Sequence, residues 1–223
     1  MDWFPLYNSI RIAAIATVII FFFGIFLAYY IAKLPRMLKG VLDCILTLPL
    51  VLPPTVIGFF ILKSIGQNGS VGKMLMQLFN TKITMTWYAS VIAVIIVTFP
   101  LMYRTVRSSF EAFDKNLIYA GKTLGLSNTF IFWKILIPNC KEGILAGIVL
   151  SFARGLGEYG ATSMVSGYTP GRTATISTTV YQLWRESNDM LAYKWVFINV
   201  IISFIVLVSL NLLEKKAKNG GHK

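Results

Sequence analysis

The chain has 223 residues, of which 56% are hydrophobic and only 13% charged. An ordinary soluble domain carries about a quarter charged residues, so the apolar excess here is read as surface that faces lipid. The net charge of +12 would suggest nucleic acid on a soluble protein. Here the basic residues cluster between long apolar runs, as topology signals do, and no nucleic-acid partner is expected. Cys44, Cys140 and the single histidine, His222, imply neither a disulfide framework nor a metal site.

Five segments are long and apolar enough to span: 12–32, 44–62, 85–103, 143–165 and 195–213. A helical span needs about 20 residues. The first is read as a span and not a removable leader. Only Arg11 precedes it, and Tyr-Tyr-Ile-Ala-Lys33 follows in place of a small-residue cleavage site. The expected fold is an all-α integral membrane domain covering residues 1–223.

Basic residues orient the set. Lys33, Arg36 and Lys39 follow the first span. Arg104, Arg107, Lys115, Lys122, Lys134 and Lys141 follow the third, and Lys215, Lys216, Lys218 and Lys223 follow the fifth. Thirteen of the 21 Lys and Arg thus fall on one side. The positive-inside rule makes that side cytoplasmic, with the N-terminus outside and the C-terminus in the cytoplasm. The outer segment 69–78 is expected to form a short interfacial helix.

The third cytoplasmic segment, 111–138, is more organised than a tether. Asp114 is a suitable N-cap, and Leu117, Ala120, Gly121 and Leu124 recur at helical spacing. Gly125 is a helix stop, and Ser127 is placed to cap a second helix. Small residues at 120 and 121 would let another protein approach the backbone, as in helix-in-groove recognition. A plain interfacial linker is the bland alternative.

Within this segment, Tyr119-Ala120-Gly121, three residues, Gly125, nine residues, then Ile135-Leu136-Ile137-Pro138 resembles the coupling loop of ABC importer permeases. That motif reads Glu-Ala-Ala, three residues, Gly, nine residues, Ile, any residue, Leu-Pro. Tyr119 stands where the motif has Glu, Gly121 where it has its second Ala, and Ile137 where it has Leu. The resemblance implies that Tyr119, Ala120, Gly121, Leu124, Gly125, Ile135 and Pro138 form the element that docks on a cytoplasmic ATPase subunit.

Two spans carry unusual chemistry. Leu48-Pro-Leu-Val-Leu-Pro-Pro-Thr-Val-Ile-Gly58 places Pro49, Pro53 and Pro54 inside the second, freeing backbone carbonyls. Such breaks are tolerated where they line a cavity or are buried in protein, and in transporters they often mark the substrate path. A kink that serves packing alone is the other reading. The fourth span holds Arg154 and Glu158 four residues apart, so they are expected to share a helix face and neutralise each other. A gate or subunit-interface role stands beside a packing role. Thr55, Thr162 and the outer stretch from Gly167 to Tyr181, with Arg172, are candidates for an anion path. The same stretch could equally dock a binding protein or be solvated.

The stretches 48–58, 152–162 and Gly167-Tyr-Thr-Pro-Gly-Arg-Thr173 are similar to those of molybdate permease subunits. The likeness runs from about residue 40 to the tail and is weakest in the first span. Sulfate and tungstate permeases share parts of the pattern, and Pro170-Gly-Arg-Thr173 favours molybdate. The resemblance implies a homodimer of permease subunits, two cytoplasmic ATPase subunits and an extracytoplasmic oxyanion-binding protein. The chain has no Gly-x-x-x-x-Gly-Lys-Ser/Thr loop, so no cofactor is expected on it, and ATP with magnesium belongs to the partner. An ATP-independent anion channel and an intramembrane enzyme are the competing classes. The organised loop speaks against the first, and the lack of a buried nucleophile–base pair against the second.

Overall fold

The computed structural model describes residues 2–220; His222 and Lys223 lie outside the described residues. Its elements, among those residues, are helical. The long apolar helices are α1 (Phe4–Ala32), α5 (Trp87–Ala112) and α11 (Asp189–Gly220). Among the described residues, three helices are long and apolar enough to cross a membrane, or up to five if each of two bent pairs is one span.

Proline makes the first bent pair. Helix α2 (Arg36–Thr47) ends in a 3₁₀ turn at Leu48–Leu50, and α3 restarts at Pro54 and runs to Ile65. Proline cannot continue the hydrogen-bond ladder but suits a first helical turn. The segment 44–62 is therefore two helices meeting at 101°, and not one rod. The helix expected near 69–78 is α4, Ser70–Phe79.

The fourth span also departs from a straight reading. Helix α7 (Asn128–Asn139, π-helical over Ile131–Leu136) turns by 70° into α8, Lys141–Leu156. The chain then breaks at residues 157–159 before the short α9, Gly160–Ser166. Arg154 and Glu158 consequently do not share a continuous helix face: Gly157 closes α8, and Glu158 sits in the break.

Helix α5 is the centre of the molecule. The stripe of α1 that meets it carries Ala13, Ala16, Gly24 and Ala28, all buried, while Val18, Phe22, Phe23 and Phe26 on other faces are exposed. Lipid tails are as apolar as leucine, so membrane helices associate through close backbone approach at small residues. Met102 of α5 shows how close. A Cβ on Gly24 of α1 would stand 2.8 Å from Met102 Cγ, and one on Gly147 of α8 would stand 2.7 Å from its Sδ. One fully buried methionine thus wedges three helices together. The first half of α5 also packs on α3 and α9, through Ala89, Ala93 and Val97 against Ile57, Ile61, Ala161 and Val165.

Candidate functional site: the loop helices and the paired breaks

The loop after α5 is built by its caps. Asp114 accepts a hydrogen bond from the Asn116 amide at 2.9 Å and opens α6, Lys115–Thr123. Ser127 accepts from the Phe130 amide at 3.2 Å and opens α7. Each such cap stabilises its helix by about 1 kcal/mol. Between them Gly125 takes φ +74°. Its amide donates to the Lys122 carbonyl, and the Leu126 amide donates to the Gly121 carbonyl. These are the paired bonds of a Schellman turn, which needs a left-handed residue at this position.

The sequence grouped Leu117, Ala120, Gly121 and Leu124, and the structure divides them. Leu117, Ala120 and Leu124 are exposed, as is Tyr119. Gly121 is buried and faces inward. A Cβ there would lie 3.2 Å from Ile131 Cγ1 and 3.3 Å from Ile135 Cδ1. Its small size therefore lets α6 lie on α7, and Ile135, half-buried, is part of that inner contact. Pro138 is exposed near the end of α7. The pair of helices is anchored below by Leu136 and Cys140, which join Tyr103, Val106, Phe110 and Ile144 in one apolar cluster.

A substitution separates the turn from its surroundings. Nothing lies within 4 Å of a Cβ built at Gly125, so only the backbone conformation opposes a side chain. Gly125→Val is expected to cost about 1–2 kcal/mol through φ alone. It should re-aim α6 without displacing the protein from the membrane. Association of the ATPase subunit, measured by copurification, is expected to fall several-fold while Gly125→Asn, which tolerates this φ, keeps most of it.

The second site joins the two broken spans. A Cβ on Gly160 would stand 2.9 Å from Pro54 Cβ and 3.2 Å from the Thr55 amide nitrogen. A Cβ on Gly58 would stand 2.8 Å from Met164 Cβ and 2.9 Å from Ala161 Cα. The proline break and the break at 157–159 thus lie side by side. Glu158 is buried there. Its Oε2 pairs with Arg154 Nη2 at 2.7 Å, and its Oε1 accepts the Ala161 amide at 2.8 Å. The carboxylate so occupies the start of α9 and neutralises the arginine across the helix end. Thr162 is buried with its Oγ1 unpartnered among the described residues. Pro53 and Thr55 are exposed, and Pro54 is half-buried.

The outer stretch is less open than its hydroxyl content suggested. Thr173, Thr175 and Thr178 are buried. Thr173 Oγ1 accepts the Thr169 amide, and Thr175 and Thr178 cap α10 (Ile176–Arg185) reciprocally. These hydroxyls hold the local fold. Arg172 is exposed on the turn before them and has no ion-pair partner among the described residues.

Two constellations escaped the sequence reading. Asn8 Nδ2 donates to the Ala174 carbonyl at 2.9 Å, and Ser9 Oγ accepts the Ile176 amide at 2.9 Å. The first helix thereby pins the outer stretch. No local spacing announces a contact across more than 160 residues. The other ties α2 to α5. Asp43 pairs with Arg107 and accepts from Tyr103, Glu111 pairs with Lys39, and Arg107 Nε reaches Glu111 Oε1 at 3.2 Å. Lys39/Asp43 and Arg107/Glu111 are both opposite charges at i,i+4, a signal that was legible. Beside this cluster lies an open cleft of about 1370 Å³, and Lys33, Arg36, Lys39, Arg107, Lys115 and Lys122 all border it. Basic segments distant in sequence therefore meet at one end of the molecule.

Residues 8–219 match the family model of the binding-protein-dependent transport system inner membrane component. The chain belongs to this family. It is an inner-membrane, multi-pass permease of the ABC importer class, a transport component and not a catalyst. The permease is 37% identical over 208 residues to the molybdenum transport system permease protein ModB of Escherichia coli K12, covering 93% of this chain and 91% of that one. It is 33% identical to the sulfate transport system permease protein CysW of Synechococcus elongatus, covering 87% of this chain and 68% of that one. Among solved structures, an inward-facing form of the MetNI methionine ABC transporter shares the fold. The TM-score is 0.75 at 12% identity, covering 96% of this chain and 94% of that chain.

Proposed function

We propose that two copies of this permease form the translocation pathway for molybdate, which an extracytoplasmic binding protein delivers. Two cytoplasmic ATPase subunits, which alone use ATP and magnesium, dock on α6 and α7. The observation that carries the coupling role is the set of exposed side chains Leu117, Tyr119, Ala120 and Leu124 on a helix capped at its start, closed by the Gly125 turn and resting on α7. Such a helix presents a rigid convex face to a groove. Docking of the ATPase there makes this end cytoplasmic, in line with the positive-inside reading, and puts residue 2 outside and the C-terminal end of α11 inside. Closure of the ATPase pair would then rock the spans between inward- and outward-open arrangements.

Identity to a molybdenum permease over nearly the whole chain supports the substrate. The second reading is a sulfate permease, favoured by the 33% identity to a sulfate system; tungstate belongs with these divalent oxyanions. On the path, Pro53, Pro54, Thr55, Arg154, Glu158 and Thr162 surround the paired breaks, and Arg172 guides delivery from outside. With Arg154 neutralised by Glu158, this lining offers no concentrated positive charge that would trap a divalent anion.

Permease, ATPase and binding protein reconstituted together test this reading. Molybdate is expected to stimulate ATP hydrolysis more than sulfate does, and calorimetry on the permease alone should show no tight molybdate binding. Stimulation by sulfate but not molybdate would establish the second reading. Micromolar binding to the permease alone would show that this chain selects the anion.

A further inference from the structure

The cleft beside α2 shares Tyr119 and one wall of α6 and α7 with the docking element, but its basic side chains have no role in transport or coupling as proposed above. Six basic side chains border it against two acidic ones, Asp43 and Glu111. Those two carboxylates are already paired with Arg107 and Lys39. Lys33, Arg36, Lys115 and Lys122 have no carboxylate partner among the described residues. The cleft therefore carries uncompensated positive charge.

Its position in the fold says which anion it suits. It opens at the end of α1, where Tyr29 and Tyr30 close a long apolar helix and Lys33 and Arg36 follow. Aromatic residues followed by cations mark the membrane–water interface. Lys33 Nζ rests 3.4 Å from the centroid of the Tyr29 ring, so the ring holds this ammonium at interfacial depth. Phe26 and Tyr30 also line the cleft, their ring centroids 4.5 Å apart at a tilt of 52°. One turn earlier, Phe22 continues the same exposed face. Charge in the cleft thus runs without interruption into an apolar stripe along α1. A soluble anion uses only the first part. An anionic amphiphile uses both.

We propose that this cleft binds one anionic phospholipid, its phosphate among Lys33, Arg36, Lys115 and Lys122 and an acyl chain along Tyr30, Phe26 and Phe22. The lipid bridges α2, which buries no residue of its own, to the first loop helix. Its headgroup would thereby help hold the docking helix at a fixed depth.

Full-length permease in phosphatidylcholine nanodiscs, with or without phosphatidylglycerol carrying a photoreactive headgroup, tests the site. Crosslinks are expected at residues 33–40 and 115–122, and native mass spectrometry should retain phosphatidylglycerol over phosphatidylcholine. Each basic residue at a surface contributes enough that Lys33→Ala with Arg36→Ala should cut retention roughly tenfold to thirtyfold. Equal retention of the two lipids, or crosslinks confined elsewhere, would overturn the proposal, and the wild-type crosslink map decides this even if the variant fails to fold. Displacement by millimolar inorganic phosphate would assign the cleft to a soluble anion. Loss of the crosslinks on adding the ATPase subunit would assign it to that protein. Either result also overturns the lipid site, and neither bears on the transported ion.

Discussion

Gly58→Val is expected to disable the permease without touching any charged group. A Cβ at this position meets the backbone of α9, 2.9 Å from Ala161 Cα and 3.1 Å from its carbonyl oxygen. Backbone cannot rotate away as a side-chain tip can, so α3 must lift off α9. Overpacking of a tight interface costs about 1–3 kcal/mol, and a β-branched side chain brings two further methyl groups into the same seam. The seam joins the proline break to the break at 157–159, so any displacement shifts Pro54, Thr55 and Glu158 together. We expect a markedly lowered Tm in detergent and loss of transport. Gly157→Ala serves as the control, since nothing lies within 4 Å of a Cβ there. A Gly58→Val permease that melts and transports like the parent would show that the two breaks do not depend on one another.

The second large effect is asymmetric. In the pair between Arg154 and Glu158 the carboxylate side chain is 1% exposed, whereas the arginine is 37% exposed. Removing the partner of a buried charge costs about 3–5 kcal/mol, because the remaining ion stays desolvated and unpaired. Arg154→Gln strands the buried carboxylate and should carry that cost. Glu158→Gln strands only an arginine that reaches the surface of the protomer, and the amide oxygen can still accept the Ala161 N–H. Its cost should be about 1–2 kcal/mol. The double variant is expected to melt close to Glu158→Gln and well above Arg154→Gln. Additive losses in this double-mutant cycle would mean that the two groups do not interact.

Much of the loop was legible because its signals are local. Asp114, Gly125 and Ser127 each act on a backbone group within three residues, so residue type and spacing state their roles directly. The inward turn of Gly121 was not legible. It depends on α7 folding back over α6, and helical spacing alone does not say which side of a short helix meets its neighbour. Proline announced the break after Leu48, though not its 101° angle. The break at 157–159 was missed for a physical reason. Glycines at 155, 157 and 160 read equally well as close-packing positions in a continuous span. The backbone leaving helical geometry at Tyr159 and the hydrogen bond from the Ala161 amide to Glu158 show that a new helix starts there. Hydroxyls in the outer stretch were ambiguous for a similar reason, since threonine that caps a helix and threonine that faces an anion look alike in sequence.

Helix α5 has 26 residues and is therefore about 39 Å long. Its last turns, at Val106 and Phe110, are packed with Leu136 and Cys140 of the loop, and its first turns, at Ala89 and Ala93, are packed with the two broken spans. The same rod thus touches both the loop helices and the paired breaks. Gly24 and Gly147 grip it from two sides at Met102, so rocking of the spans, as proposed above, would pivot the rod there. A tilt of about ten degrees over that length carries one end roughly 7 Å relative to the other, a throw comparable to the width of a hydrated small ion.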